Sequence, residues 1–197
     1  MDQPDNKRNS EQPQIIPPHG GYRDLKSYQM AEIVHDGTVL FCDRFVDRRS
    51  RTHDQMVQAA RSGKQNIAEG SMASGTSKKT ELKLIGVARA SLEELLLDFQ
   101  DYLRQHGLPL WGKDHPEARK VRALCYSKNR SYETYRTYFE TGSAETAANA
   151  AICVIHQTNY LLDQQLRTLE KEFLEKGGFT EKLYHARSQM RNRRPNR

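Results

Sequence analysis

Residues 61–103 read RSGKQNIAEGSMASGTSKKTELKLIGVARASLEELLLDFQDYL. In the second part of this stretch the apolar residues recur at steps of three and four, which places them on one face of an α-helix. These residues are Ile85, Ala88, Leu92, Leu95, Leu96, Phe99 and Leu103. The stripe that begins at Met56 and enters the first part consists mainly of small residues, which let a neighbouring backbone come close. Its further members are Ala59, Ala60, Gly63, Ile67 and Gly70. The stretch therefore predicts helices at 52–69 and 77–105.

The same spacing continues on both sides of this stretch. Residues 22–46 carry an apolar stripe, and the capping-box spacing of Asp114 and Glu117 begins a predicted helix at 116–140. The longest stripe runs from Ala148 to Phe173 and predicts a helix at 144–175. No segment alternates apolar and polar residues for long enough to predict a strand. The pattern indicates an all-α fold, an antiparallel up-and-down four-helix bundle with an extra helix and flexible tails.

Prolines and glycines divide the chain into three parts. Four prolines lie in the first 18 residues, so residues 1–20 are predicted to form a disordered N-terminal tail. Residues 21–178 form the predicted helical domain, which ends at Gly177 and Gly178. Residues 179–197 contain six basic residues and are predicted to form a basic, frayed C-terminal tail.

Composition and cysteine usage limit the class of protein. Apolar residues make up 36% and charged residues 28%, and 31 basic against 25 acidic residues give a net charge of +6. No run approaches the roughly 18 apolar residues of a membrane span, and the first residues contain no apolar signal-peptide core. We therefore expect a cytoplasmic protein without a membrane partner. Cys42, Cys125 and Cys153 lie far apart among apolar neighbours and are predicted to be inert core thiols.

Motifs of common enzyme classes are absent from the sequence. It contains no G-x-S-x-G, H-E-x-x-H, P-loop or G-x-G-x-x-G motif. None of the seven histidines forms an i, i+4 pair of the kind that binds zinc on a helix. Glu93 and Glu94 are adjacent and point about 100° apart on a helix, so they cannot act on one atom. We expect a protein that is not an enzyme and that needs no cofactor or metal.

Basic residues are concentrated in three places. The first group surrounds the first predicted turn and comprises Arg44, Arg48, Arg49, Arg51, Arg61 and Lys64. The second lies among tyrosines on the fourth predicted helix and comprises Arg119, Lys120, Arg122, Lys128 and Arg130. The third fills the C-terminal tail. Because clustered cations with nearby aromatic rings suit phosphate contact and base stacking, the first two groups are predicted to bind nucleic acid. The alternative is an ordinary solvated surface.

One polar motif lies beside the small-residue stripe. Asn66 and Glu69 stand in a position from which they could flank a ligand. A structural role is the favoured interpretation: Asn66 fixes helix register, and Glu69 caps the following turn or pairs with a cation on a neighbouring helix. Gly70 and Gly75 bracket the following turn, where a glycine is predicted to serve as a C-terminal cap.

These residues carry a family resemblance. The run Asn66-Ile67-Ala68-Glu69-Gly70, a turn of small residues and a helix containing ARASLEEL at 88–95 resemble the bacterial four-helix-bundle protein family. That family includes proteins encoded in intervening sequences of ribosomal RNA genes and the accessory variability determinant of diversity-generating retroelements. The IIPPHGGY start at 15–22 resembles its four-helix-bundle suffix branch. The resemblance implies a homopentameric barrel and, in the retroelement members, a basic surface that binds nucleic acid and a reverse transcriptase.

Two functions from different classes follow. We expect a bacterial, non-enzymatic homo-oligomer, a pentamer by resemblance, that binds RNA or DNA as an accessory to a reverse transcriptase or a ribosomal RNA element. The alternative is a protein-interaction adaptor whose long heptad helix at 144–175 docks a partner helix. Heptad faces that one thin bundle cannot fully bury also predict association with further copies.

Overall fold

The structure is a computed structural model, described for residues 16–127 and 130–192. Across these ranges all regular elements are helices, which confirms the predicted all-α class. They are a short 3-10 helix (Tyr22–Asp24) and α1 (Lys26–Phe45), α2 (Arg51–Ala73), α3 (Lys78–Gln105), α4 (Pro116–Leu124), α5 (Tyr132–Glu140), α6 (Ala144–Lys176) and α7 (Phe179–Asn192). No helix in the described ranges is long and apolar enough to cross a membrane.

Four long helices surround the core. α1 packs against α2 and α6, and α3 packs against the same two helices. Their apolar stripes meet in one cluster that includes Phe41, Phe99 and Ile155. The two short helices α4 and α5 pack against α6, and α5 also packs against α1. Val121 of α4 and Phe139 of α5 are fully buried, so both short helices belong to the same core.

The small residues of α2 admit a close neighbour, as their sequence predicts. A Cβ atom added at Gly63 would lie 2.6 Å from Cδ2 of Leu92 on α3, closer than real atoms approach. A Cβ atom added at Gly70 would lie 3.4 Å from Cδ1 of Ile85, which is also on α3. The close packing of α2 on α3 therefore depends most strongly on Gly63.

The long apolar stripe of α6 is buried inside the chain. Ala148, Ile155 and Leu162 are fully buried, and α6 packs against α1, α3, α4 and α5. Past Leu169 the helix leaves the core, and Leu174 is 77% exposed. The face that the adaptor interpretation needs for docking is thus covered by helices of the same chain, while the interpretation itself stays a prediction.

The predicted helix at 116–140 is two helices. α4 ends at Leu124, and α5 begins at Tyr132 after the N-cap residue Ser131. The sequence between Tyr126 and Tyr132 contains no apolar residue, so a continuous helix would have nothing to bury there. The Ser131 N–H donates a hydrogen bond to Thr134 Oγ1 (3.2 Å), which stabilises the new helix start.

The structure also corrects the predicted tails. Residues 1–15 and 193–197 lie outside the described residues. Gly20, predicted to lie in the disordered tail, donates its N–H to the Ser71 carbonyl near the end of α2 (3.2 Å). The predicted frayed tail is helical over 179–192, where it forms α7. The Glu181 carboxylate accepts a hydrogen bond from the Gly178 N–H (2.8 Å), and an acidic residue in the first turn favours a helix start.

Two of the three cysteines lie in the core, as the sequence analysis predicted, whereas Cys125 lies at its edge. Cys42 and Cys153 are buried, Cys125 is half-buried, and all three thiols are free. Burial raises the pKa of the Cys42 thiol to about 12, with a smaller contribution from Asp43. Burial also raises the pKa of the Cys153 thiol, against the lowering effect of Arg122. Since the thiolate is the reactive form, these buried thiols are unreactive at neutral pH.

Candidate nucleic-acid interface

Four predicted cations form a surface that we call the arginine face: Arg48, Arg49, Arg51 and Arg61. Arg48 and Arg49 lie in the connection between α1 and α2, and Arg51 is the first residue of α2. Arg61 lies further along α2. All four side chains are exposed. Ser50 fixes this corner, because its hydroxyl oxygen accepts a hydrogen bond from the Thr52 N–H (3.2 Å) and caps α2.

The periodicity of α2 determines which residues share the arginine face. Met56, Ala60 and Ile67 point into the core, so the opposite side of the helix faces solvent. Arg51 and Arg61 lie on that outer side and are about 15 Å apart along the helix axis. The exposed amides of Gln55 and Gln58 lie between them, and an amide both donates and accepts hydrogen bonds.

Asp43, Asp47 and Asp54 lie near the arginine face, but among the ion pairs of the described residues only Asp43 pairs with one of its arginines. Arg48 pairs with Asp43 at 3.2 Å, but its side chain remains 76% exposed. Such an exposed pair contributes little and is readily exchanged for a phosphate. Within residues 16–127 and 130–192, no carboxylate lies within ion-pair distance of Arg49, Arg51 or Arg61. These guanidinium groups are therefore available to an anionic partner.

The second predicted group differs in its surroundings; we call its described members, Arg119, Lys120, Arg122 and Arg130, the α4–α5 cations. Arg119 pairs with Asp114 at 2.7 Å, and Lys120 pairs with Glu117 at 2.7 Å. The hydrogen bond to Glu117 raises the pKa of Lys120. Each cation thus has its own carboxylate, which reduces the attraction for a phosphate.

The other two α4–α5 cations hold the backbone. Arg122 Nη2 donates to the Lys113 carbonyl. Arg130 Nη1 donates to the Cys125 carbonyl (3.0 Å), and its Nη2 donates to Gln29 Oε1 on α1 (3.3 Å). Arg130 therefore joins the α4–α5 connection to α1. Lys128, which was predicted with this group, lies outside the described residues.

Arg44 and Lys64 have structural contacts that the sequence analysis did not predict. The Arg44 guanidinium donates to the Phe139 carbonyl and to the Gly142 carbonyl (2.9 Å), which lie at the end of α5 and in the turn after it. It also lies 4.4 Å from the centre of the Phe45 ring. Lys64 Nζ lies 3.3 Å from His35 Nδ1 on α1. Both cations join helices and are separate from the arginine face.

The polar motif of α2 has a local role. Asn66 Nδ2 donates to the Ser62 carbonyl (2.9 Å) and to Ser62 Oγ (3.1 Å), one turn back in the same helix. Ser62 Oγ lies 2.9 Å from Ser91 Oγ on α3, so Asn66 supports α2–α3 register through Ser62. The predicted capping roles of Glu69 and Gly70 are wrong, because α2 continues to Ala73. Glu69 is exposed, and Gly70 is buried against α3.

One feature escaped the sequence analysis, a cleft of about 400 Å³ beside the α4–α5 connection. Its lining includes Lys26 of α1, Tyr126 and Arg130 of the connection, and His156 and Tyr160 of α6. None of the described residues that line it is acidic. These residues come from three distant parts of the sequence, so no local motif announces them. The one sequence signal for this cleft was Tyr160, a large aromatic residue that lies outside the buried apolar stripe of α6.

Comparison with known proteins gives no matching family model, no matching curated protein and no matching solved structure. Membership of the bacterial four-helix-bundle protein family therefore stays a prediction from the sequence motifs at 15–22, 66–70 and 88–95. The surfaces described above carry the functional inference.

Proposed function

We propose that this protein is a non-enzymatic nucleic-acid-binding protein that contacts phosphates through the arginine face. The observation that carries the proposal is the lack of ion-pair partners for Arg49, Arg51 and Arg61 among the described residues, on an exposed surface. Residues 43–65 contain six basic and three acidic residues, so this segment has a net charge of +3. Half of the excess charge of the whole chain is thus concentrated there.

The chemistry of the arginine face suits a phosphate backbone. A guanidinium forms paired hydrogen bonds with phosphate oxygens in one plane. The separation of Arg51 and Arg61, about 15 Å, corresponds to the axial rise of roughly four nucleotides of one strand of a duplex. Gln55 and Gln58 add groups that hydrogen-bond to phosphate and sugar oxygens. The expected binding is mainly directed at the backbone, with weak sequence preference.

We propose that α1, α2, α3 and α6 form an antiparallel up-and-down four-helix bundle that presents this face on a rigid support. Contacts between α3 and α6 support opposite directions for the two helices. Lys78 at the start of α3 pairs with Glu172 (3.6 Å), whereas Glu93 further along α3 accepts a hydrogen bond from Asn159 (3.3 Å). The short connections at 46–50 and 74–77 support the same relation for the earlier pairs.

Assembly and cellular role extend the proposal. We propose a homo-oligomer, with the pentamer that the resemblance implies, acting in the cytoplasm as an accessory to a reverse transcriptase or a ribosomal RNA element. The resemblance of residues 66–70 and 88–95 to the bacterial four-helix-bundle protein family is what supports this assembly. Light scattering at micromolar concentration is expected to give a mass of several chains, and a monomer would contradict the oligomer.

Filter binding with short single-stranded and duplex RNA and DNA tests the proposed function. The full chain should retain nucleic acid at about 50 mM salt, and three or four phosphate contacts should make affinity fall roughly 10- to 100-fold when salt rises to about 200 mM. Failure to retain any of the four nucleic acids at low salt would contradict the proposal. Retention that does not respond to salt would exclude the phosphate-directed contact.

A further inference from the structure

The cleft beside the α4–α5 connection has the size and shape of a small-molecule site. Its volume of about 400 Å³ lies within the range of about 300–1,000 Å³ that is typical of ligand pockets. α1, α6 and the α4–α5 connection each contribute to its lining. Apolar contact is supplied by Met30, which is buried, and by the aliphatic part of the lining. A ligand the size of a mononucleotide therefore fits.

The charge in the cleft is positive. Lys26 and Arg130 are basic side chains, and the described lining residues include no carboxylate that would pair with them. The guanidinium of Arg130 is held in place by the Cys125 carbonyl (3.0 Å) and by Gln29 Oε1 (3.3 Å). A cation in a fixed orientation binds an anion with little loss of side-chain entropy. These groups favour a phosphate.

Two large aromatic rings are exposed at the same cleft. Tyr126 is 86% exposed and Tyr160 is 63% exposed, although tyrosine is usually partly buried. Exposed aromatic rings beside cations are the arrangement that proteins use to stack nucleobases while binding the phosphate. The pair therefore adds a preference for a flat, aromatic group to the preference for an anion.

We propose that this cleft binds a nucleotide, with its phosphate at Lys26 and Arg130 and its base stacked on Tyr160. The nucleotide is either free or part of a single strand, since both offer the same chemistry. The site does not rest on the proposed function. Lys26 begins α1, whereas Arg48 follows its end, so the cleft and the arginine face lie about 30 Å apart along that helix.

Calorimetric titration of the full chain with adenosine monophosphate, adenosine, inorganic phosphate and an oligoadenylate strand tests the site. Tyr160→Ala should weaken binding of adenosine monophosphate roughly tenfold, because one stacking contact contributes about that much. Lys26→Gln should weaken binding of the same nucleotide without changing binding of adenosine. Matched controls lie outside the cleft: Tyr184→Ala on α7, at a tyrosine that is 64% exposed, and Lys79→Gln, at an exposed lysine on α3.

The outcomes distinguish a free nucleotide from a strand as the ligand of the cleft, and each proposal can fail by itself. Adenosine monophosphate binding that depends on Tyr160 supports a site for the free nucleotide, and strand binding alone with that dependence supports a strand as the source. Equal affinity in the Tyr160→Ala and Tyr184→Ala variants overturns the site, as does equal binding of adenosine and its monophosphate. If neither the nucleotide nor the strand binds to the cleft, while the arginine face still retains the strand, only the proposal for the cleft is overturned. Nucleotide binding without any salt-dependent retention of longer nucleic acid overturns the proposed function alone.

Discussion

The arginine face and the α4–α5 cations contain similar residues in different surroundings. Arg49, Arg51 and Arg61 have no ion-pair partner in the described part of the chain, whereas Arg119 and Lys120 each have a carboxylate at 2.7 Å. Arg122 donates to the Lys113 backbone carbonyl. A cluster of basic residues in a sequence is therefore a binding surface only where neighbouring acids and carbonyls leave the cations available.

The largest expected effect comes from removing the available cations. The triple variant Arg49→Gln, Arg51→Gln, Arg61→Gln should lose affinity for nucleic acid on the order of a hundredfold near 0.1 M salt, because three phosphate contacts disappear. Filter binding measures the loss, and thermal unfolding should be nearly unchanged because the three side chains are exposed. A loss of less than about twofold would place the interface elsewhere.

The second prediction concerns the packing of α5. A Cβ atom added at Gly37 on α1 would lie 2.5 Å from Cζ of Phe139, so Gly37→Ala should lower the free energy of unfolding by about 1–3 kcal/mol. Gly86→Ala is the matched control, since an added Cβ there meets no atom within 4 Å. That control should be neutral or slightly stabilising in urea unfolding. Equal effects at both positions would mean that α5 does not pack tightly on α1.

Arg44 and Arg49 have different expected roles: Arg44 stabilises the fold, and Arg49 binds nucleic acid. Arg44→Gln removes hydrogen bonds to the Phe139 and Gly142 carbonyls and should destabilise the fold by about 1 kcal/mol. Arg49→Gln, on the arginine face, should leave stability unchanged and reduce nucleic-acid affinity. Urea unfolding of both variants measures the stability difference, and filter binding of both variants measures the affinity difference. The reverse pattern would show that Arg44 contacts the nucleic acid.

The smallest expected effect comes from freeing the α4–α5 cations. Removing the two carboxylates with Asp114→Asn and Glu117→Gln leaves Arg119 and Lys120 without their described partners. Affinity for nucleic acid should rise only about two- to threefold, because exposed ion pairs are weak and the added attraction is screened by salt. A rise comparable to the loss in the triple variant would indicate that α4 belongs to the interface.

Helical periodicity predicted most of the fold. The starts of α2, α3 and α6 fell within one residue of their predicted positions, because serine N-caps precede regular stripes. The break between α4 and α5 was missed, although the stripe has a gap there. α7 was missed because it has no buried residue, and a stripe without a partner resembles a tail in a sequence.

The sequence predicted less of the candidate site. It located the basic clusters, but ion pairs such as Arg119 with Asp114 and carbonyl contacts such as those of Arg44 depend on three-dimensional positions. The cleft depends on residues more than 100 positions apart, such as Lys26 and Tyr160. Periodicity reports which face of a helix is apolar, and it contains no information on which outer residues meet.

The salt dependence of binding in three proteins tests the central claim most directly. The slope of the logarithm of affinity against the logarithm of salt concentration should be about −3 for the natural chain and no steeper than about −1 for Arg49→Gln, Arg51→Gln, Arg61→Gln, which keeps Arg48. Arg119→Gln with Lys120→Gln should keep a slope of about −3. If the α4 variant loses the slope and the triple variant keeps it, the arginine face is not the nucleic-acid interface.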